Sequence, residues 1–294
     1  MVEKKRWQKE NARHYITSER LAQQLHDGLE IQVVEVYDPV QPGPNGRSRA
    51  DYLAGHIPGA SLFDFTQFGP RPEYLPKLEV LQEVFEQQGI RYDQPVVFYG
   101  SSSVPGMHMA AKTAFVAYLL GMEQIYILDG GYQDWLDGGY DVESDEVAVT
   151  SVPWENPPET RQVAIVQTPE EYQAIRQKEP ERLVVSFRSL KEYQGQSEQA
   201  SGEIEGAVYA GDESLFTESY HIQHPENFED RWQEEGIRPD RPLVIHCGSG
   251  FRASTGFFLL KELGYEDVIL FDGSWAKYYP AHLHSPDQHP IKNG

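Results

Sequence analysis

Short apolar runs alternate along the whole chain with segments in which apolar residues recur at helical spacing. In the first half, residues 33–37, 95–99 and 125–128 are apolar runs typical of buried strands. Residues 78–88 and 107–120 have the spacing of helices, and a glycine follows each of them. Because parallel strands need a crossover connection, this alternation predicts α/β layers built on parallel sheets.

The second half repeats the same order of elements. Thr168, Pro169 and Glu171 supply an N-cap, a proline in the first helical turn and the acidic partner of a capping box. We therefore predict a helix from there to residue 178. After it we predict strands over residues 183–187, 243–246 and 268–271. Helices are predicted over residues 225–235 and 252–263, between these strands.

Sequence matches between the two halves indicate a duplication. Three segments match in one order: Gly55-His-Ile-Pro-Gly-Ala60 with Gly202-Glu-Ile-Glu-Gly-Ala207, Val96-Val-Phe-Tyr-Gly100 with Leu243-Val-Ile-His-Cys247, and Leu128-Asp-Gly-Gly131 with Phe271-Asp-Gly-Ser274. The stretch between the halves is polar and contains several prolines, which is typical of a linker at a protein surface. We predict a first domain over residues 1–145, a linker over 146–160 and a second domain over 161–294.

Composition and charge narrow the classes of function. Of the 294 residues, 39% are hydrophobic and 24% are charged, which is the balance of a globular protein. The formal net charge of −21 argues against non-specific binding to nucleic acid or to an anionic membrane. The apolar stretch near residues 113–122 is too short to cross a bilayer, and the charged start of the chain lacks the apolar region of a signal peptide. We expect a cytoplasmic protein that binds neither nucleic acid nor membrane.

The single cysteine is the strongest candidate for chemistry. One cysteine excludes an intramolecular disulfide and supplies too few ligands for a cysteine zinc cluster. Cys247 ends a predicted strand and begins a glycine-rich turn, Cys247-Gly-Ser-Gly-Phe-Arg252, that leads into a predicted helix. The N–H groups of such a turn, the helix N-terminus and the Arg252 guanidinium stabilise a thiolate or a bound anion. Because the thiolate is the nucleophilic form of cysteine, this combination indicates a functional cysteine rather than an inert buried one.

Together these segments resemble the tandem-domain rhodaneses, the family of thiosulfate and 3-mercaptopyruvate sulfurtransferases. The resemblance covers nearly the whole chain. Besides the matched segments, it rests on Val184-Val-Ser-Phe-Arg188-Ser189, on Glu192-Tyr193 and on Phe271-Asp-Gly-Ser-Trp275. It implies two similar rhodanese-like domains, each a mainly parallel sheet flanked by helices, and it implies no metal and no organic cofactor.

The resemblance also implies a reaction. The cysteine takes a sulfane sulfur from a small anionic donor, thiosulfate or 3-mercaptopyruvate, and becomes a persulfide. It then passes the sulfur to cyanide or to a thiol, and the resemblance identifies no protein acceptor. Cys247 matches the persulfide-carrying nucleophile. The loop residues that match the persulfide cradle are Gly248, Ser249, Gly250, Phe251 and Arg252.

A second arginine also matches the family pattern. Arg188 corresponds to an arginine that contacts the anionic donor. The other interpretation is a surface ion pair with Glu192, four residues along the chain. We favour donor binding because the matching position of the first half is Tyr37, and an inactive copy has no use for a positive charge there.

The first domain lacks the nucleophile, because Gly100 stands where the second domain has Cys247. We expect this inactive copy to form one wall of the active-site cleft. In the mercaptopyruvate enzymes, a loop serine works with an aspartate and a histidine of the first domain. Ser249 and Asp64 match two of these positions, and Glu73 stands where the histidine is expected. The sequence therefore leaves the choice of donor open.

Two alternative functions remain at this stage. A non-catalytic rhodanese module for binding or sensing would account for Ser186 and Glu203, which replace the aspartate and the histidine usual at these positions. The presence of Cys247 and Arg252 argues against it. A cysteine phosphatase or arsenate reductase also uses a Cys…Arg loop. Phosphatase loops, however, place one residue more than the four found here between the two, and this chain has no second thiol to resolve an arsenate intermediate.

Overall fold

The computed structural model of the protein describes residues 13–40, 46–69, 74–197 and 202–292 and contains two five-stranded sheets. The strands of the first are β1 (Tyr15–Ile16), β2 (Gln32–Tyr37), β3 (Ser61–Asp64), β4 (Val96–Tyr99) and β5 (Ile125–Leu128). The strands of the second are β6 (Ile165–Val166), β7 (Leu183–Ser186), β9 (Val208–Tyr209), β10 (Leu243–His246) and β11 (Val268–Phe271). A small antiparallel sheet pairs β8 (Glu203–Ile204) with β12 (Ile291–Lys292).

The two large sheets share one topology. All their strand pairs are parallel, and their strand orders are β1-β5-β4-β2-β3 and β6-β11-β10-β7-β9. The registers correspond as well, since Glu35 pairs with Tyr99 in the first sheet and Ser186 pairs with His246 in the second. The predicted fold, two similar α/β domains with parallel sheets, is therefore confirmed.

Helices connect the strands in both halves. Those of the first half are α1 (Ser18–His26), α2 (Arg49–Ala54), α3 (Leu78–Gln87), α4 (Val104–Leu119) and α5 (Gly131–Asp137). Those of the second half are α6 (Pro169–Lys178), α7 (Leu190–Tyr193), α8 (Glu229–Glu234), α9 (Phe251–Glu262) and α10 (Ser274–His284). Short 3₁₀ helices lie at Phe65–Phe68, Gln162–Ala164, Glu213–Leu215 and Pro225–Asn227.

Local chemistry explains where the helices begin. The predicted capping box of α6 is present, with Thr168 and Glu171 bonding each other's backbone N–H. Helix α4 begins at Val104 rather than at residue 107, because the Ser103 hydroxyl accepts a hydrogen bond from the Gly106 N–H and caps the extra turn. The single helix predicted over residues 225–235 is instead a 3₁₀ turn followed by α8, interrupted at Phe228, whose φ is −136°.

The two halves pack against each other through α4 and α9, and one apolar core runs through both of them. The rings of Phe115 and Phe257 lie 4.9 Å apart in an edge-to-face contact. Two polar contacts cross the same boundary: the Tyr15 hydroxyl donates to the Thr255 carbonyl at 3.1 Å, and His108 Nδ1 lies 2.8 Å from Thr255 Oγ1. The first half therefore packs directly behind the helix that follows the cysteine loop.

The segment between the halves is anchored to the first of them. Residues 146–160 are all described and form neither helix nor strand. Trp154 within this segment is nevertheless buried, its ring lies 5.3 Å from that of Tyr92, and its Nε1 donates to the Ile90 carbonyl at 2.8 Å. The predicted linker therefore packs on the first half. The domain boundaries themselves stay a prediction.

A histidine of the second half is clamped between two carboxylates of the first. His221 Nε2 lies 3.1 Å from Asp134 Oδ1, and its Nδ1 lies 3.5 Å from Asp129 Oδ2. The neighbouring Ile222 N–H donates to Asp129 at 2.7 Å. Hydrogen bonds to Asp129 and Asp134 raise the pKa of His221 to about 9, so the imidazolium joins the halves at neutral pH.

This clamp predicts a pH-dependent stability. The folded-state pKa of His221 lies above the ordinary value of about 6.5, so its contribution is complete below that pH and is lost as pH rises to about 9. We expect His221→Gln to lower the free energy of unfolding by about 2 kcal/mol at pH 6 and by much less near pH 9.5. Urea unfolding at both pH values measures this, with the exposed His26→Gln as control. An equal loss at both pH values would contradict the clamp.

Candidate active site

The structure places Cys247 directly after β10, at the start of the loop into α9. Its side chain is buried, with 1% of its surface exposed, whereas Gly248 and Ser249 are half-buried and form the open side of the loop. The Gly250 N–H donates to Cys247 Sγ at 3.2 Å, and the Cys247 N–H donates to Ser274 Oγ at 3.1 Å. The sulfur is thus held at the N-terminal end of α9, where the helix dipole favours negative charge.

Gly250 is required by the shape of this loop. Its φ of 83° is in the left-handed region, and an added Cβ would lie 2.5 Å from Asp272 Oδ1 and 2.9 Å from Lys112 Nζ. Lys112 of α4 and Asp272, which follows β11, form an ion pair in which both side chains have 0% exposure. A buried charge pair made by both halves therefore supports the loop from behind. The Phe251 ring packs 5.2 Å from that of Phe65 of the first half.

Arg252 is held by two carboxylates. Its Nη1 lies 2.6 Å from Glu192 Oε2 and 3.1 Å from Asp212 Oδ2, and its Nη2 lies 3.0 Å from Glu192 Oε1. Burial opposes the charge of Arg252, but the hydrogen bonds to Glu192 and the nearby negative charges raise its pKa above the ordinary value. Burial likewise opposes the charge of Glu192, yet the bonds from Arg252 and Ser189 lower its pKa to about 2. Both groups are therefore charged at neutral pH.

His108 extends these contacts into the first half. Its Nε2 lies 3.1 Å from Asp212 Oδ1, and its Nδ1 contacts Thr255 Oγ1. Because a carboxylate only accepts, Nε2 carries a proton. Sequence reasoning missed His108, although a signal was present. His108 lies eight residues after Gly100, and Thr255 lies eight residues after Cys247. The two residues therefore occupy matching positions of the duplicated halves, and they meet where α4 crosses α9.

Arg188 is buried rather than at the surface, with 0% of its side chain exposed. Its Nη1 donates to the Gly202 carbonyl at 2.5 Å and lies 3.5 Å from Glu203 Oε2, and its guanidinium lies 4.3 Å from the centre of the Trp275 ring. Burial lowers the pKa of Arg188 despite the nearby carboxylates of Glu203 and Glu192. Its contact with a sulfur donor stays a prediction, and the observed contacts are those of a residue that positions Gly202, directly before β8.

In strand register Tyr37 does stand at the position of Arg188, but a different residue makes the contacts of Arg188 in the first half. Arg47 makes the corresponding contacts in the first half, since it donates to the Gly55 carbonyl at 2.5 Å and lies 3.7 Å from the centre of the Tyr132 ring. A serine with a capping box follows both Arg47 and Arg188. An arginine at this place is therefore a structural feature of both halves, including the one without a cysteine.

The departures at Ser186 and Glu203 compensate for each other. The Ser186 hydroxyl donates to Glu203 Oε2 at 2.7 Å, and Glu203 Oε1 lies 3.3 Å from His246 Nε2. In the first half, the carboxylate that pairs with the arginine comes from the strand: Glu35 lies 2.6 Å from Arg47. The second half supplies the same buried carboxylate from the following turn, so these two residues preserve an ion pair and do not mark a degraded site.

The accessory residues are only partly described. Asp64 caps the 3₁₀ helix Phe65–Phe68, accepting from the Thr66 N–H at 2.9 Å and from Thr66 Oγ1 at 2.6 Å. Ser249 is half-buried on the cysteine loop. Glu73 lies outside the described residues. Local capping therefore accounts for Asp64, and its part in a reaction stays a prediction.

The loop of the first half cannot take a cysteine in its present form. A Cβ at Gly100 would lie 2.6 Å from the Gly106 carbonyl oxygen. The Ser102 hydroxyl donates to the Gly130 carbonyl at 2.5 Å. A cavity of about 460 Å³ lies beside this loop, and Ser101, Ser102, Tyr132 and His221 are among the residues that line it.

Among the described residues, no helix combines the length and the apolar character needed to cross a bilayer. The same residues contain no group of three or more His, Cys, Asp or Glu side chains arranged to hold a metal ion.

Comparison with known proteins agrees with the two-copy organisation. The family model described as rhodanese-like domain matches residues 18–137 and 168–281. The chain is 28% identical over 257 residues to the thiosulfate sulfurtransferase YnjE of Escherichia coli, covering 83% of this chain but only 57% of that protein. It is 24% identical to the 3-mercaptopyruvate sulfurtransferase of Escherichia coli, covering 90% of this chain and 94% of that protein. It is 26% identical to the rat thiosulfate sulfurtransferase over 91% of this chain and 92% of the relative.

Solved structures with a similar fold come from ergothioneine biosynthesis. The anaerobic ergothioneine biosynthesis enzyme from Chlorobium limicola, in complex with its natural substrate trimethyl histidine, matches with a TM-score of 0.82 and 27% identity. That match covers 98% of this chain and 72% of the enzyme. A persulfide form of EanB with ergothioneine matches with a TM-score of 0.81 and 26% identity, covering 96% and 71%.

Proposed function

The chain belongs to the rhodanese-like domain family, in two tandem copies, and from this we propose that it is a sulfurtransferase that carries sulfur as a persulfide on Cys247. The observation that carries the proposal is the hydrogen bond from the Gly250 N–H to Cys247 Sγ at the N-terminus of α9. Relatives named as thiosulfate and 3-mercaptopyruvate sulfurtransferases support the same activity. We also propose that it acts in the cytoplasm, where thiols stay reduced.

In the first step the Cys247 thiolate attacks the sulfur of the donor. With thiosulfate, the S–S bond of the donor breaks and sulfite leaves with the bonding electrons. With 3-mercaptopyruvate, the C–S bond breaks, and pyruvate leaves after its carbon takes the thiol proton. In the second step a thiol or cyanide attacks the outer sulfur of the persulfide, and the Cys247 thiolate leaves.

The loop stabilises the negative charge as it moves between these sulfur atoms. The Gly250 N–H and the end of α9 face the sulfur, while Gly248 and Ser249 leave the open side for substrates. Arg252, fixed by Glu192, closes the loop. We propose that Arg188 positions the adjacent turn, and its direct contact with a donor remains to be tested by Arg188→Lys.

The half-reaction tests this function directly. The protein is incubated with thiosulfate and, separately, with 3-mercaptopyruvate, and its intact mass is measured before and after cyanide is added. We expect a gain of one sulfur atom that cyanide removes. Because the chain has a single cysteine, the gain is assigned to Cys247 without further mapping. Folded protein that gains no sulfur from either donor would favour a binding or sensing module instead.

A second candidate concerns the acceptor. The structural neighbour from Chlorobium limicola has trimethyl histidine as its natural substrate. The carboxylates of Glu192 and Asp212 beside the loop favour an acceptor that carries positive charge. In such a transfer the outer sulfur bonds to an imidazole carbon, the S–S bond breaks, and the ring proton goes to Cys247. Mixing the persulfidated protein with trimethyl histidine and measuring ergothioneine by mass spectrometry tests this acceptor.

A further inference from the structure

Glu192 occupies the charged group that an anionic donor would need. Resting on the proposed sulfur transfer, we propose that Glu192 determines donor specificity by occupying Arg252, so that the site disfavours dianionic donors such as thiosulfate and takes donors with one negative charge or none. Membership of the rhodanese-like domain family does not by itself give Glu192 this role.

The contact between Glu192 and Arg252 has the geometry of a bound anion. The two carboxylate oxygens lie 2.6 Å from Nη1 and 3.0 Å from Nη2 of the guanidinium. This paired arrangement is the one that a carboxylate, a sulfonate or a thiosulfate uses to bind arginine. Asp212 takes a further position on Nη1, at 3.1 Å. Carboxylates of the protein therefore take three of the five guanidinium N–H groups, and an incoming donor must compete with Glu192 for the paired Nη1 and Nη2 positions.

Glu192 is also fixed in this position. It is the acidic member of the capping box that begins α7, and the Ser189 N–H donates to its Oε2 at 2.8 Å. Its Oε1 lies 3.8 Å from Arg188 Nε, and 19% of its side chain is exposed. Displacing it would break the helix cap together with two ion pairs, so the carboxylate stays on Arg252 while a donor approaches.

The two arginines beside the loop and the carboxylates that they contact carry one negative charge in excess. Two arginines, Arg188 and Arg252, face three carboxylates, Glu192, Glu203 and Asp212. The two histidines on these carboxylates are His108 and His246, and burial lowers the pKa of His246. The buried pair of Lys112 and Asp272 cancels itself. A dianion entering this region is repelled about twice as strongly as a monoanion, because the interaction scales with the product of the charges.

Glu192→Gln tests the proposal, because glutamine keeps the size of the side chain and can still serve in the capping box. We expect the rate constant for persulfide formation from thiosulfate to rise at least tenfold. We expect the factor by which the rate constant for 3-mercaptopyruvate rises to be at least three times smaller than the factor for thiosulfate. The matched control is Glu171→Gln, which changes the capping-box glutamate of α6, a residue that the structure describes with no contact to Arg252, and it should alter both rate constants less than twofold.

The possible outcomes separate this inference from the proposed function. Wild-type protein that forms the persulfide, with a variant whose thiosulfate rate is unchanged or lower, overturns the role of Glu192 alone. An equal rise for both donors also overturns it, because it shows no discrimination by charge. Absence of persulfide in the wild type with either donor overturns both proposals.

Salt dependence is a second measurement where Glu192→Gln does not fold. In the wild type, added NaCl screens the repulsion of thiosulfate by the site and by the chain's formal net charge of −21, so the rate constant for thiosulfate should rise with ionic strength and only a fall is diagnostic. The rate constant for 3-mercaptopyruvate should rise less. A thiosulfate rate that falls with added salt indicates a net positive site and overturns the inference.

Discussion

Replacement of Cys247 by serine is expected to abolish sulfur transfer, with a loss of turnover of roughly 10³-fold or more. The serine hydroxyl is not ionised at neutral pH, and an oxygen at this position cannot form the persulfide. The chain has no second cysteine that could replace the nucleophile. Steady-state assays of thiocyanate formation, with thiosulfate or 3-mercaptopyruvate as donor and cyanide as acceptor, measure the loss.

The fold of this variant should be unchanged, because serine fits the space of cysteine and the Gly250 N–H can donate to its oxygen instead. Circular dichroism and the melting temperature check this. Ser102→Ala, in the corresponding loop of the first half, is the matched control and should keep wild-type turnover. Residual turnover above about a hundredth of wild type in folded Cys247→Ser would place the chemistry elsewhere.

Much of this site could be predicted because its signals are local. Buried strands are continuous apolar runs and amphipathic helices repeat every three to four residues, so the central strands and most of the longer helices follow from periodicity, whereas short elements such as β3, α2 and α7 were not predicted. The cysteine loop is one short segment between a strand and a helix, and its glycines and arginine are adjacent in sequence. The capping boxes are likewise decided by residues three positions apart.

The supporting residues could not be predicted in this way, because packing between the halves brings them together. Lys112 and His108 lie on a helix of the copy that lacks the nucleophile, and their partners Asp272 and Asp212 are more than a hundred residues away. Periodicity predicts that α4 is a helix. It does not predict which of its polar side chains turns toward the other half, since this depends on how α4 crosses α9.

The residue that shares the contacts of Arg188 in the first half was missed for a related reason. Alignment by distance from the strand end matched Arg188 with Tyr37, but the first half has a longer connection at this point, and its arginine follows ten residues later as Arg47. Contacts identify the true counterpart, since both arginines bond a turn carbonyl and lie over an aromatic ring. A burial pattern conserved between the copies is therefore a better guide than spacing where a loop has changed length.

The largest loss of stability is expected from Lys112→Met. Lys112 and Asp272 are both fully buried, so removing the ammonium leaves a carboxylate in the interior without its counter-charge. Such a change costs about 3–5 kcal/mol, whereas replacing both members of a pair by uncharged groups costs much less. Urea unfolding measures the loss, and Lys178→Met, at a side chain with 82% exposure, is the matched control.

The double variant Lys112→Met with Asp272→Asn decides whether the charge pair is the cause. We expect it to be more stable than Lys112→Met alone, because no uncompensated charge remains, while the Leu75 N–H can still donate to the Asn oxygen as it does to Asp272 at 3.2 Å. Additive losses in the double variant would show that shape alone matters here. Because Gly250 packs on this pair, we expect Lys112→Met to slow persulfide formation and the double variant to restore it together with stability, which would connect the inactive half to the reactivity of Cys247.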